Sequence, residues 1–137
     1  MPYVPFDATW VPSTDPPAFR TLYEQSLRAS ADRVPAASIA VEDVRGEVLV
    51  VGGEDDQVWP GADFARAVAD RRRAHGLDTA VVTAPGAGHR VVLPGERPVR
   101  RGRAMARGGT PAADAALGLA AWPHLCRVLG LRTEEPR

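Results

Sequence analysis

Two apolar runs, residues 47 to 52 and 79 to 84, each break off at a glycine-containing turn, Gly52-Gly53 in one case and Pro85-Gly86 in the other. Both are short and nearly continuous, which is how strands buried on both faces of a parallel sheet read. Between them Phe64, Ala65, Val68 and Ala69 mark one face of an amphipathic helix over about 61–75, with Gly76 as its stop. Strand, helix, strand in this order predicts a βαβ unit, whose parallel strands join by a right-handed crossover. Arg71, Arg72 and Arg73 fall near the carbonyl end of that helix, where they read as a solvated end, and His75 as a partner of the helix dipole.

The flanks are organised around this unit. Residues 1 to 15 form an irregular arm expected to pack through Tyr3, Phe6 and Trp10. Asp15, followed by Pro16 and Pro17, reads as the N-cap of a helix over about 17–33, with Phe19, Leu22, Tyr23 and Leu27 at helical spacing. Residues 85 to 109 are a Gly-, Pro- and Arg-rich connection, too long for a plain turn and so a candidate functional loop. Thr110-Pro111 caps a last helix through Ala116, Leu119, Ala120 and Trp122, which Pro123 is expected to kink or break, and TEEPR reads as a frayed tail. The domain division expected is an arm and helix over 1–35, one domain over 36–132, and a tail over 133–137.

Composition narrows the function classes. A chain of 137 residues with 45% hydrophobic and 25% charged residues has an ordinary globular balance. Seventeen basic against seventeen acidic residues leave no net charge, so nothing global points to nucleic acid. Cys126 is the single cysteine and excludes an intrachain disulfide. The N-terminus lacks the pattern of a signal peptide and no apolar run is long enough to span a membrane, so the expectation is a soluble cytoplasmic protein with no membrane partner.

In open parallel sheets, catalytic side chains gather beyond the carboxyl ends of the strands. Two unusual segments leave at that edge, "GGEDDQVWP" from residue 52 and "APGAGHR" from residue 84. Neighbouring strands lie about 4.8 Å apart, so a carboxylate after the first can meet His89 after the second. A buried carboxylate at one imidazole nitrogen fixes the tautomer and stabilises the cation formed when the other nitrogen takes a proton. Gly86 and Gly88 allow a sharp turn that leaves the His89 ring accessible. The competing reading of Asp56 is a turn residue bonding its own backbone. Glu54, Asp55 and Asp56 as a metal cluster is disfavoured, because adjacent carboxylates on a turn point different ways. His124 reads as a surface residue and Cys126 as a small core residue. Acid before histidine is also the chain order of the last two triad members in α/β-hydrolases.

The segments "GEVLVVGGEDDQVWPG", "HGLDTAVVTAPGAGHRVVLP" and "RGGTPAADAALGLAAWPHLCRVLG" together resemble the C-terminal domain of the bile acid-CoA:amino acid N-acyltransferase and acyl-CoA thioester hydrolase family, over about residues 36 to 130. "PPAFRTLYEQSL" resembles the connecting segment of its bacterial members. The resemblance implies the C-terminal part of an α/β-hydrolase fold and a triad of Cys or Ser, Asp and His acting on acyl-CoA thioesters. On its motifs the acid falls on Asp56 and the histidine on His89, while Glu54 and Asp55 match no catalytic position. With CoA thioesters as substrates, Arg97, Arg100, Arg101, Arg103 and Arg107 could meet CoA phosphates as guanidiniums meet anions, although a solvated loop is the plainer reading.

Two departures stand out. Ala84 replaces an aromatic residue before the PGAGH segment, and Leu93-Pro94-Gly95 replaces Pro-Pro-Tyr after the histidine. More consequentially, no glycine-flanked Ser or Cys elbow precedes the acid: Ser13, Ser26, Ser30 and Ser38 lack flanking glycines, and Cys126 follows the histidine. The expectation is a truncated or split acyl-CoA thioesterase-like chain with acid and base but no nucleophile, without a cofactor, and active only with a complementing N-terminal fragment. The alternative is a non-catalytic domain that binds a partner or pairs with a second copy.

Overall fold

The structure is a computed structural model that describes residues 2–97 and 102–131. Arg100, Arg101 and the tail at 133–137 lie outside the described residues.

Strands β1 (Leu49–Gly53) and β2 (Ala80–Ala84) pair in parallel, Leu49 opposite Ala80 and Gly53 opposite Ala84. Helix α3 (Gly61–Ala74) connects them, so the βαβ unit forms and both turn segments leave the sheet at the same end. With α1 (Arg20–Ala29), the single turn α2 (Val34–Ala37), a 3₁₀ turn at Val41–Asp43 and α4 (Pro111–Val128), the architecture is α/β.

The interior is built from small side chains. Ala62, Ala65 and Ala69 of α3 and Leu117, Ala121 and Cys126 of α4 are buried. Glycine is what lets the elements approach this closely. A Cβ on Gly52 would meet the backbone of Gly61 and Ala62 at the start of α3, and one on Gly53 would run into the carbonyls of Ala87 and Gly88. The strands are not buried on both faces as their apolar runs suggest, however. Leu49, Val50 and Val51 are half-buried, because among the described residues no third strand pairs with the outer edge of β1.

A core of alanines gains little from each residue, about 0.8 kcal/mol per buried CH₂, so polar pins carry more weight here. The solvated helix end expected at 71–73 is the clearest correction. Arg73 pairs with Asp70 at the surface, but Arg72 is only 2% exposed. Its guanidinium donates to Thr79 Oγ1 and to the carbonyls of Val41, Val44, Gly46 and Asp78. The last turn of α3 runs beneath the segment that leads into β1, and a planar group with five N–H donors serves the carbonyls that converge there. Beside it Arg71 grips Glu42, Nε to Oε2 at 2.6 Å. That hydrogen bond chiefly holds the Glu42 carboxyl down at about 2.

Three smaller expectations also change. Helix α1 begins at Arg20 with Phe19 as its uncapped N-cap, not at Asp15, since Pro16 precedes a proline and is disfavoured from helical geometry. Helix α4 runs through Pro123 without breaking: the carbonyl deprived of a donor belongs to Leu119, on the solvent face at 64% exposure, where water can serve it. In the arm, Phe6 and Trp10 pack on Tyr23 and Phe19, but Tyr3 is exposed. The cap at Thr110 forms as read, its Oγ1 accepting from Ala113 N at 3.1 Å. His75 is the C-cap of α3, with Nδ1 2.9 Å from the Arg71 carbonyl.

Candidate active site

The carboxyl ends of the two strands feed two turns that are stitched to each other. Glu54 N donates to the Ala84 carbonyl and Asp55 N to that of Ala87. The 85–109 connection returns across both: the Arg107 carbonyl accepts from His89 N at 2.9 Å and from Gln57 N at 3.3 Å. Asp114, in the first turn of α4, accepts the Gly88 N–H at 2.7 Å, so the residue before His89 is anchored from a helix. Rigid backbone on both turns is what can hold two side chains at fixed separation.

Asp56 and His89 meet there. Asp56 Oδ2 is 3.0 Å from His89 Nδ1, while Oδ1 accepts from Val58 N at 2.8 Å and Trp59 N at 3.3 Å. One oxygen of Asp56 thus serves the backbone of its own turn, and the other faces the imidazole. Asp56 is 3% exposed, whereas the His89 side chain is 27% exposed. With a carboxylate at Nδ1, neutral His89 carries its proton on that nitrogen and keeps a lone pair on Nε2. Among the described residues Nε2 makes no hydrogen bond.

The ring borders a cleft of about 370 Å³ whose lining includes Val51, Gly53, Asp56, Trp59, Gly88 and His89. No serine or cysteine is among the described residues that line it. Nor do the described residues group three or more His, Cys, Asp or Glu side chains in a way that could hold a metal ion.

The other two carboxylates point elsewhere. Asp55 accepts from Gly109 N at 2.8 Å and Gln57 Nε2 at 2.9 Å, and these bonds, Gly109 first, hold its carboxyl below the usual range. Glu54 takes Thr83 Oγ1 and Arg66.

Matched against known families, residues 2–130 fit the model described as BAAT / acyl-CoA thioester hydrolase C terminal. The chain belongs to this family. Among curated family relatives, a peroxisomal succinyl-coenzyme A thioesterase of Mus musculus is 35% identical over 57 residues, 41% of this chain and 14% of the relative. An acyl-coenzyme A amino acid N-acyltransferase 2 of Rattus norvegicus is 33% identical over 99 residues, 66% of this chain and 23% of the relative. The aligned stretches therefore cover less than a quarter of either relative's length.

Several residues around the pair escaped the sequence reading. Trp59 packs edge-to-face with His89, ring centroids 4.9 Å apart. Arg20, on α1, donates to the carbonyls of Glu54 and Asp56. Helical spacing could have placed Arg20 on α1, but nothing in the order of residues ties it to a loop thirty-six positions on. His124 is half-buried rather than fully at the surface, and its Nδ1 is enclosed with no hydrogen-bond partner among the described residues. Cys126 is buried as expected. Arg107 is occupied with its own loop, donating to the carbonyls of Arg103 and Met105. No described helix is long and apolar enough to cross a membrane.

Proposed function

We propose that this chain carries the acid and the base of an acyl-CoA thioester hydrolase or acyltransferase of α/β-hydrolase type, with Asp56 as the acid, His89 as the base and the nucleophile supplied by residues outside these 137. The observation that carries the reading is the 3.0 Å contact between Asp56 Oδ2 and His89 Nδ1 at the carboxyl edge of a parallel sheet. Family membership supports acyl-CoA thioesters as the substrate class. His89 Nε2 takes the proton of a Ser or Cys as that atom bonds to the thioester carbonyl carbon. The imidazolium, stabilised by Asp56, returns the proton to the CoA sulfur as the C–S bond breaks. Nε2 then takes a proton from water or an amine as that molecule attacks the acyl carbon. The imidazolium gives this proton to the Ser oxygen or Cys sulfur as its bond to the acyl group breaks, releasing the acid or the amide and restoring the nucleophile. A cytoplasmic place of action belongs to the same proposal; a single, buried cysteine calls for no oxidising compartment.

The test mixes the purified chain with a fragment that carries a glycine-flanked Ser or Cys elbow and follows release of free CoA thiol from acyl-CoA. Turnover that needs both pieces and disappears with His89→Gln is the expected result. Turnover untouched by that change would remove His89 from the mechanism.

One observation favours a second reading, a partner-binding domain without catalysis. An apolar groove of about 360 Å³, lined by Leu49, Val51, Trp59, Phe64 and Val68 among others, runs along the open edge of β1. An apolar strand edge with no charge or proline to blunt it is a surface that pairs with another chain. Binding of the elbow fragment without any turnover would favour this alternative.

A further inference from the structure

We propose that helix α1 is the positioning element of the Asp56–His89 pair, acting on the acid loop through Arg20 and on the imidazole through Tyr23 and Trp59. The inference deepens the catalytic reading above and rests on it only for the role of the pair.

The first arm is polar. Arg20 Nη1 donates to the carbonyls of Glu54 at 3.1 Å and Asp56 at 3.3 Å, and the Arg20 backbone N–H donates to the Gln57 carbonyl at 3.0 Å. One residue of α1 therefore takes three carbonyls of the four-residue loop that presents the acid. The guanidinium is itself oriented by Glu24 at 2.8 Å and Asp63 at 3.2 Å. A planar fork held at several of its N–H groups cannot swing away without giving up the rest.

The second arm is aromatic. Four rings stand in sequence, each edge-on to the next: Phe6 to Tyr23 at 5.3 Å and 86°, Tyr23 to Trp59 at 6.2 Å and 88°, and Trp59 to His89 at 4.9 Å and 79°. Edge-to-face pairs are directional, because the positive rim of one ring faces the negative face of the other. This matters for an imidazole. Its χ2 well is broad, and the bond from Nδ1 to Asp56 fixes one atom of the ring but not the tilt of its plane. Trp59 supplies the second constraint. The same residue donates its backbone N–H to Asp56 Oδ1 at 3.3 Å, so it touches both members of the pair. Tyr23 closes the far side of the indole, and Nε2 is left with one direction, set from the N-terminal segment.

Nitrogen-15 NMR of the imidazoles in the intact chain tests this, at a pH where His89 is neutral and with its signals assigned by their loss in His89→Gln. The wild type is expected to hold the proton on Nδ1. Tyr23→Ala, Trp59→Ala and Arg20→Ala are expected to lower the ratio of Nδ1–H to Nε2–H tautomer by about threefold to tenfold, while Tyr23→Phe and Trp59→Phe, which keep a ring, restore it. Should Tyr23→Ala fail to fold, Tyr23→Leu keeps the apolar bulk without the ring and carries the same expectation. Folded variants with the wild-type ratio would overturn the bracing role and leave the acid–base pair standing. A wild type with its proton on Nε2 would overturn the pair itself, and this inference with it.

Discussion

Asp56 divides its carboxylate between two tasks: Oδ1 caps the turn that carries it, through the N–H groups of Val58 and Trp59, and Oδ2 stands 3.0 Å from His89 Nδ1. The oxygen that meets the histidine is thereby aimed by backbone and not by a free side-chain rotor. A short, glycine-lined approach between Gly53 and the Ala87-Gly88 backbone brings the two turns within reach.

Asp56→Asn separates these tasks. The amide oxygen can still accept from Val58 and Trp59, but the NH₂ facing Nδ1 donates and forces the proton of His89 onto Nε2. Thermal stability is expected to change little, while CoA release by the complemented enzyme falls roughly 10³- to 10⁴-fold, the cost of a wrong tautomer in such a triad. Melting curves and initial rates on the same preparation check both halves.

Arg72→Met tests the buried guanidinium. It fills much of the same space but leaves Thr79 Oγ1 and four carbonyls without their donor. A loss on the order of 3 kcal/mol is expected from urea unfolding, since a buried acceptor left unpaired costs about 1–3 kcal/mol and several share the damage. Arg72→Lys should recover only part of it, because one ammonium cannot reach all the acceptors spread over two segments, 41–46 and 78–79.

Glu42 gives the fold an acid-sensitive contact. Its carboxyl sits at about 2 in the folded chain, chiefly through the Arg71 hydrogen bond, against an ordinary value of 4.5. The unfolded chain binds the extra proton between those values, so this contribution is complete above about 4.5 and is lost as pH falls through about 2. Glu42→Gln is expected to melt earlier than the wild type at neutral pH and to match it near the lower limit. A melting difference that persists unchanged there would mean the ion pair is not its source.

Asp55 ties the acid loop to the returning connection through Gly109 N, and that bond is the main reason its carboxyl lies below the usual range. In Asp55→Ala the Gly109 amide loses its acceptor, and its hydrogen exchange is expected to quicken about fivefold to tenfold, the equivalent of roughly 1 kcal/mol. Unchanged protection would show that the connection is held by its other bonds alone.

The βαβ unit was legible because the continuity of 47–52 and 79–84, and the helical spacing of Phe64, Ala65, Val68 and Ala69, are local properties. That a carboxylate after β1 could meet His89 was legible for a topological reason, since both follow neighbouring parallel strands; that the carboxylate is Asp56, and not Glu54 or Asp55, followed only from the family resemblance. Arg72 was not. Three consecutive arginines at a helix end look alike whether solvated or enclosed, and only the path of residues 41–46 decides. The half-exposure of Leu49–Val51 was hidden because an apolar run does not state how many strands flank it. Arg20, Tyr23 and Trp59 escaped for the same reason: each acts across segments distant in sequence.

The most direct test of the account is a double-mutant cycle on CoA release by the complemented enzyme, comparing Asp56→Asn, His89→Gln and the two together. If the acid works only through the histidine, the double variant is no slower than His89→Gln alone, as for residues that act as a unit. Losses that multiply, or a His89→Gln enzyme that keeps the full rate, would contradict it.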